Sequence, residues 1–166
     1  MKKILIISPL VPYDIIGHAG GKTHNFYLKY LNNIDHFDVT LVSFYEKAEE
    51  SKLDLVKYNI KNKLICNDSL RKFKARILRE VLNCESRHNP FNRHCNIVNN
   101  YKLYRLLSAL KELKNDGYMP NIIILEWTQV VLLVEEIKKI FPGSKIVASE
   151  HDVTFLGYLR KYQYEE

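Results

Sequence analysis

Two clusters of polar and titratable residues stand directly after apolar runs in the second half of the chain. Glu126-Trp127-Thr128-Gln129 follows the apolar residues 122–125, and Glu150-His151-Asp152 follows residues 145–149. Histidine can accept or donate a proton near neutral pH, and a carboxylate can act as a general base or bind a hydroxyl group. The sequence therefore predicts His151 and Glu126 as catalytic residues, with Thr128, Gln129 and Glu150 lining the same cleft. The alternative is that Asp152 caps a helix and that His151 has a purely structural role.

A glycine pair, Gly20-Gly21, opens the first helical pattern of the chain, residues 22–34. Glycine has no Cβ, so the backbone N–H groups of this turn can approach a ligand closely. The positive end of the helix dipole also favours an anion there. The pair is thus a candidate phosphate site, although an isolated glycine pair often serves only to turn a loop into a helix.

Gly21-Lys22-Thr23 matches the end of the nucleotide-binding pattern G-x-x-x-x-G-K-[ST]. The position that requires the first glycine holds Ile16, and Gly17 comes one residue too late. The G-x-G-x-x-G fingerprint of dinucleotide-binding folds also fails, because a long loop precedes these glycines. A stand-alone phosphate- or nucleotide-binding module of NTPase type, using Gly21-Lys22-Thr23, remains the alternative function.

Apolar periodicity places these candidates on alternating strands and helices. The predicted strands are residues 4–7, 37–44, 63–66, 122–125 and 145–149, and the predicted helices are residues 22–34, 46–58, 97–113, 130–141 and 153 onwards. Continuous apolar strands separated by helices indicate an α/β fold with a parallel sheet covered on both faces. The loops after the first, fourth and fifth strands should then converge at the carboxyl edge of the sheet, next to a topological switch point. We expect Glu126 and His151 to be partly exposed in that cleft.

Length and composition indicate a globular protein of one domain. The 166 residues are 46% apolar, enough for one domain with its own core. No run approaches the roughly twenty apolar residues that span a bilayer, and Pro9 and Pro12 interrupt the only leader-like segment. The cysteines number three, at irregular spacing, which is typical of reduced thiols and predicts a cytoplasmic location.

The basic excess, 25 Lys and Arg against 19 Asp and Glu, is concentrated in one segment. An amphipathic helix is predicted there, and its basic residues are Arg71, Lys72, Lys74, Arg76 and Arg79. Such a helix can lie on anionic lipid at the inner face of a membrane, or it can be a core-packed helix with a solvated face. The basic residues are not interleaved with aromatics in a recognisable module, so no nucleic-acid partner is predicted.

Zinc-binding residue types occur between the basic segment and the next helix, at Cys84, His88, His94 and Cys95. Structural zinc sites usually pair their ligands as C-x₂₋₄-C and H-x₃₋₅-H, and neither pair is present. The sequence therefore predicts no metal and no cofactor.

Four of these segments together resemble the amino-terminal domain of retaining GT-B glycosyltransferases of family 4. They are the opening strand with its proline-rich loop, Gly20-Gly21, Glu126-Trp127-Thr128-Gln129 and Glu150-His151-Asp152-Val153. The resemblance extends over essentially the whole chain. It implies a Rossmann-like, doubly wound, mostly parallel sheet flanked by helices, which contacts the acceptor and closes over a nucleotide-sugar. Some family members carry a histidine where this chain has Glu126.

The resemblance also implies roles for these residues. Gly20 and Gly21 would face the diphosphate of a nucleotide-sugar donor, and His151 would lie near the transferred sugar. The acceptor would be a glycan or a lipid-linked molecule. Family members carry a following domain that binds the nucleotide, so we expect residues 1–166 to form a single acceptor-side domain that lacks this C-terminal nucleotide-sugar-binding domain and is inactive alone.

Overall fold

A parallel β-sheet with helices on both faces forms the part of the chain that the computed structural model describes, residues 1–67 and 100–149. The strands are β1 (Lys2–Ser8), β2 (Phe37–Tyr45), β3 (Lys61–Cys66), β4 (Ile122–Glu126) and β5 (Lys145–Ser149). The helices are α1 (Ala19–Asn32), α2 (Asn100–Asn115), α3 (Thr128–Val131) and α4 (Val134–Ile140), with a 3-10 helix at Lys47–Lys52. The predicted α/β, Rossmann-like fold is confirmed.

The strand order β3-β2-β1-β4-β5 places β1 at the centre of the sheet. On one side β1 pairs with β2, so that Ile4 lies beside Val39, and on the other side Ile4 lies beside Ile122 of β4. The chain builds outward from β1 to β3 and then returns to build in the opposite direction from β4 to β5. The topological switch point therefore lies between β1 and β4, as predicted.

Side chains of β1 belong to two different cores because alternate residues of a strand point to opposite faces of the sheet. The first core cluster covers the face under α1, and its buried residues are Ile4, Ile6, Val11, Tyr13, Ile16, Leu28, Val39, Leu41, Leu55 and Ile60. The second core cluster covers the face under α2, α3 and α4, and it includes Leu5, Ile7, Val42, Phe44, Leu106, Leu110, Ile123, Leu125, Ile137 and Phe141. This double burial explains the uninterrupted apolar run in β1.

Three predicted helices differ from the observed ones. α1 begins at Ala19 instead of residue 22, because His18 acts as the N-cap and its Nδ1 accepts a hydrogen bond of 2.9 Å from the Gly21 N–H. Residues 46–58 were predicted as one surface helix, but they form only the 3-10 helix Lys47–Lys52, none of whose residues is buried. Residues 130–141 form two short helices, α3 and α4, and at Leu133 the backbone leaves helical geometry with φ −93° and ψ 1°.

The loop between β1 and α1 is fixed by a polar network around Asp14. Its carboxylate accepts hydrogen bonds from Lys29, from Asn25 Nδ2 at 3.0 Å and from the Tyr58 hydroxyl at 2.7 Å. The backbone N–H of Asp14 donates to Asp54 Oδ2 at 2.9 Å. These bonds, led by the one from Lys29, hold the pKa of Asp14 well below its usual range. The network therefore fixes the position of the loop that leads into the first turn of α1.

Candidate functional site

The carboxyl edge of the sheet brings together the first turn of α1 and the ends of β4 and β5. In the β4–β5 ladder Glu126 lies beside Ser149, and Ile124 lies beside Val147. The Trp127 N–H continues this pairing by donating to the Ser149 carbonyl at 3.0 Å. The predicted convergence of the first and fourth loops is thus confirmed among the described residues.

A groove of about 520 Å³ opens between α1 and these two strands. We call it the edge groove, and it is lined by Ala19, Gly20, Thr23, Tyr27, Leu31, Ile124, Glu126, Val147 and Ser149. Both strands contribute alternate residues, so their lining side chains share the face of the sheet that α1 covers. The α1 residues recur every four positions, which places them on one side of the helix. The volume lies within the range of small-molecule sites, about 300–1,000 Å³.

Gly20 lies under the indole ring of Trp127. A Cβ added at Gly20 would come within 2.5 Å of Trp127 Cη2, closer than real Cβ atoms approach. Trp127 itself has a positive φ of 75°, a backbone conformation that non-glycine residues seldom adopt. Close packing against Trp127 is therefore a sufficient reason for glycine at position 20, in addition to the predicted approach of a ligand.

Gly21 is also surrounded by protein atoms. A Cβ there would lie 2.5 Å from Ile16 Cδ1 and 2.6 Å from His18 Cε1. The Gly21 N–H already donates to His18, so this group is not available to a phosphate in the described structure. Gly21 is buried and is not among the residues that line the edge groove. Of the glycine pair, only Gly20 reaches the groove.

The loop before α1 does not form a cradle of the P-loop type. Val11, Tyr13 and Ile16 are buried in the first core cluster, and the Val11 N–H donates to the Phe44 carbonyl at 2.9 Å. A phosphate-binding loop instead turns several successive backbone N–H groups toward the ligand. Lys22, which would have to reach the phosphates, is exposed on α1.

Glu126 is buried at the base of the groove, with only 4% of its surface exposed. The expectation that it would be partly exposed is wrong for this residue. Its side chain lies on the α1 face of β4 and lines the groove, instead of standing free beyond the end of the strand. A carboxylate in this position reaches a ligand only through the groove.

The two other candidates after β4 lie elsewhere. Thr128 is exposed at the first position of α3, and Gln129 follows it, with its Oε1 buried and accepting no hydrogen bond from the described residues. Neither residue is part of the groove lining. The backbone turns sharply at Trp127, so the residues after it are carried into α3 and away from the α1 face.

Several predictions fall outside the described residues. Glu150 and His151 follow Ser149 directly, and they remain candidates without a described position. The same holds for the basic segment from Arg71 to Arg79 and for Cys84, His88, His94 and Cys95.

Apart from Gly20 and Glu126, sequence reasoning did not assign to this cleft the residues that line it, namely Ala19, Thr23, Tyr27, Leu31, Ile124, Val147 and Ser149, although Thr23 was named in the NTPase-type alternative. Thr23 and Tyr27 follow Ala19 at four-residue spacing, and Ser149 alternates with Val147. Both periods were visible in the sequence. What was not visible is which side of each element faces the groove.

A second cavity, of about 440 Å³, lies between α2 and α4. It is lined by Leu107, Lys111, Lys114, Asn115, Glu136, Lys139 and Ile140. One of its lysines, Lys139, is already bound to Glu136 at 2.6 Å. None of its residues lies at the carboxyl edge of a strand, so the edge groove is the better candidate site.

Within residues 1–67 and 100–149, no helix combines the length and apolar character needed to cross a membrane. The same part of the chain contains no group of three or more His, Cys, Asp or Glu side chains that could hold a metal ion.

The strand order and the position of the groove define a protein with a Rossmann-like α/β fold and a ligand-sized groove at its switch point. No family model matches the chain, and no curated protein matches it. Among solved structures it is similar to the N-terminal domain of the Candida albicans trehalose-6-phosphate phosphatase, with 17% sequence identity and a TM-score of 0.49. The match covers 91% of this chain and 34% of the other, so the chain spans about a third of the length of the matched chain. The likeness concerns the fold alone.

Proposed function

We propose that this chain is the acceptor-side domain of a glycosyltransferase of GT-B architecture, similar to family 4. In this proposal it works with a nucleotide-sugar-binding domain and transfers a sugar from a nucleotide-sugar to a glycan or a lipid-linked acceptor. The domain alone is inactive, because sugar transfer also needs the nucleotide-sugar-binding half of the cleft. The observation that supports the proposal is the edge groove, in which Gly20 from the first loop and Glu126 from the fourth strand line one cavity at the carboxyl edge.

The groove offers groups suited to an acceptor hydroxyl. Glu126 presents carboxylate oxygens that accept hydrogen bonds, while Thr23 and Ser149 have hydroxyl groups that both donate and accept. In the transfer, the acceptor oxygen forms a bond to the anomeric carbon of the sugar, and the bond from that carbon to the nucleoside diphosphate breaks. The acceptor proton leaves with the diphosphate. Glu126 orients the attacking hydroxyl, and His151 is proposed to contact the transferred sugar.

The donor diphosphate is proposed to approach the amino end of α1 at Gly20. The partial positive charge of a helix amino terminus favours an anion there. α1 carries no acidic residue in its first turn, so no side chain of that turn opposes the anion. Because the Gly21 N–H is engaged by His18, the contribution of this helix is the field of its dipole and the open surface of Gly20.

An NTPase-type module has less support. The loop before α1 packs into the first core cluster, and its side chains occupy the space that a phosphate cradle would need.

The contact of the basic segment, Arg71 to Arg79, with an anionic membrane surface is a separate part of the proposal. It is measured by cosedimentation of the protein with anionic vesicles and with neutral vesicles. Equal recovery with both lipids at low salt would refute that contact.

Nuclear magnetic resonance titration of the chain tests the function directly. UDP-sugars should shift the backbone amide signals of Gly20, Thr23 and Glu126, whereas ATP with magnesium should leave them unchanged. In the complete transferase, Glu126→Gln, which keeps the size of the buried side chain, should reduce sugar transfer. Tight, magnesium-dependent ATP binding that Lys22→Ala abolishes would overturn the proposal. Lys145→Ala, which removes a lysine at the opposite edge of the sheet, is the matched control for Lys22→Ala.

A further inference from the structure

The edge groove changes in chemical character along its length. At the carboxyl edge the register pairs Glu126 with Ser149, and two residues further down it pairs Ile124 with Val147. The two strands therefore line the upper part of the groove with oxygen atoms and the lower part with aliphatic side chains.

α1 shows the same gradient from its own side. Thr23 lies nearest the carboxyl edge, and Tyr27 and Leu31 follow one and two turns further along. α1 runs antiparallel to the strands, so these apolar residues lie beside the apolar end of the strand lining. The two walls of the groove are thus matched, with a polar end and an apolar end.

Much of this apolar surface is open to solvent. Tyr27 is 50% exposed and Val147 is 42% exposed among the described residues. The outer side of α1 next to Tyr27 carries Phe26 and Tyr30, which are also exposed and whose rings stack with centroids 6.3 Å apart. These three exposed aromatic residues lie next to one another on α1, beside the open apolar end of the edge groove. Such a surface is typical of one that binds another apolar group.

We propose that the edge groove binds an amphiphile, with a neutral, hydroxylated head group at Glu126, Thr23 and Ser149 and an alkyl tail along Tyr27, Leu31, Ile124 and Val147. The inference rests on the proposed function in one respect, since it identifies this amphiphile as the acceptor and so selects a lipid-linked acceptor over a free glycan. Hydroxyl groups suit the polar end because a carboxylate accepts their hydrogen bonds. A phosphocholine head group, in contrast, has no hydroxyl hydrogen to donate there.

The single tryptophan of the chain reports on this groove. Trp127 packs on Gly20, which lines the polar end. The experiment titrates the full chain with dodecyl maltoside below its micelle concentration and follows tryptophan fluorescence. Maltose provides the head group alone, and dodecylphosphocholine provides the same tail with a phosphate in its head group. We expect a saturable change with dodecyl maltoside, no change with maltose, and weaker binding of dodecylphosphocholine, whose head group has no hydroxyl group to donate a hydrogen bond.

Val147→Asp places a charge in the apolar end of the groove. It should weaken dodecyl maltoside binding by about tenfold or more, because the tail then loses apolar contact with a side chain of that size. Val56→Asp is the matched control, since Val56 is 84% exposed and does not line the groove. It should leave binding unchanged. If Val147→Asp fails to fold, Val147→Thr keeps the β-branched shape and should weaken binding in the same direction by a smaller factor.

Three outcomes would overturn the inference. Equal binding of maltose and dodecyl maltoside would show that the tail is not recognised. Equal binding by Val147→Asp and Val56→Asp would place the tail elsewhere. No saturable binding, together with a larger loss of thermal stability in Val147→Asp than in Val56→Asp, would mean that protein, such as residues 150–166 or a partner, covers the groove. Dodecyl maltoside binding without sugar transfer by the complete protein would refute the proposed function alone, whereas transfer to free maltose without detergent binding would refute only this inference.

Discussion

Replacing Gly20 with alanine tests whether Trp127 requires the glycine in the first turn of α1. The new Cβ would lie 2.5 Å from Cη2 and 3.1 Å from Cζ2 of the indole. The indole is a rigid double ring, so it must rotate as a whole, or the amino end of α1 must shift. Either movement changes the polar end of the edge groove, which Gly20 lines.

Two opposing effects set the size of the change. Overpacking of a tightly packed site typically lowers stability by about 1–3 kcal/mol. Exchanging glycine for alanine at a compatible backbone position raises it by about 0.4–1 kcal/mol, because the unfolded chain loses conformational freedom. The steric effect should prevail, so Gly20→Ala should lower the free energy of unfolding by roughly 0.5–2 kcal/mol. Gly17→Ala, where an added Cβ meets nothing within 4 Å, should leave stability equal or higher.

A double-mutant cycle measures the steric term alone. Trp127→Leu removes the indole atoms that the new Cβ would meet, so Gly20→Ala in that background should become stabilising by about 0.4–1 kcal/mol. Urea unfolding of the four proteins, followed by far-UV circular dichroism, gives the free energies without relying on tryptophan fluorescence. The change of sign between the two backgrounds is the expected result. Equal effects of Gly20→Ala in both backgrounds would refute the steric explanation of this glycine.

Three further predictions concern stability. Hydrogen bonds from Lys29 and Tyr58 lower the pKa of Asp14 in the folded protein, so the stabilisation they provide is complete above the ordinary pKa of Asp14 and is lost as the pH falls through the lower folded pKa. The free energy of unfolding should therefore decline below about pH 4, and this decline should be less steep in Asp14→Asn. An unchanged pH slope in that variant would contradict the network. Gly117 has a φ of +79°, so Gly117→Ala should lower the free energy of unfolding in urea by about 1–2 kcal/mol, and an unaltered value would argue against the left-handed turn. Phe141 is fully buried in the second core cluster, so Phe141→Ala should lower the same quantity by about 3–5 kcal/mol, and a loss typical of a surface residue would place this side chain outside the core.

The fold was predictable because its strands carry a strong and local signal. β5 has the predicted bounds, residues 145–149, and the five strands were all recognised from continuous apolar or β-branched runs. Helix ends were less predictable, because they depend on single capping contacts. α1 starts three residues early because a histidine, His18, caps it, and histidine is not among the residues usually expected at that position.

The candidate site was predictable only to the level of strand ends. The rule that ligands bind at the carboxyl edge placed Gly20 and Glu126 together correctly. The burial of Glu126 depends on how other elements pack around the end of β4, and the role of Gly20 depends on Trp127, which is distant in sequence. Contacts of this kind arise from packing between elements, and no local pattern in the sequence records them.

The presence of one core cluster on each face of the sheet has a consequence for folding during translation. Among the described residues, the buried members of the first core cluster lie between positions 4 and 60, so most of that face can close once the amino-terminal part has left the ribosome, before Ile122 and Ile124 of β4 pack against it. In the described part of the chain, the other face of β1 and β2, which carries Leu5, Ile7, Val42 and Phe44, is covered by side chains from residues 103–141. At about 5–20 residues per second, translation leaves this apolar face open for several seconds. During that interval the nascent chain exposes a sheet with one uncovered apolar face. This is the state in which a chaperone would bind the largest apolar surface and in which aggregation would begin most readily.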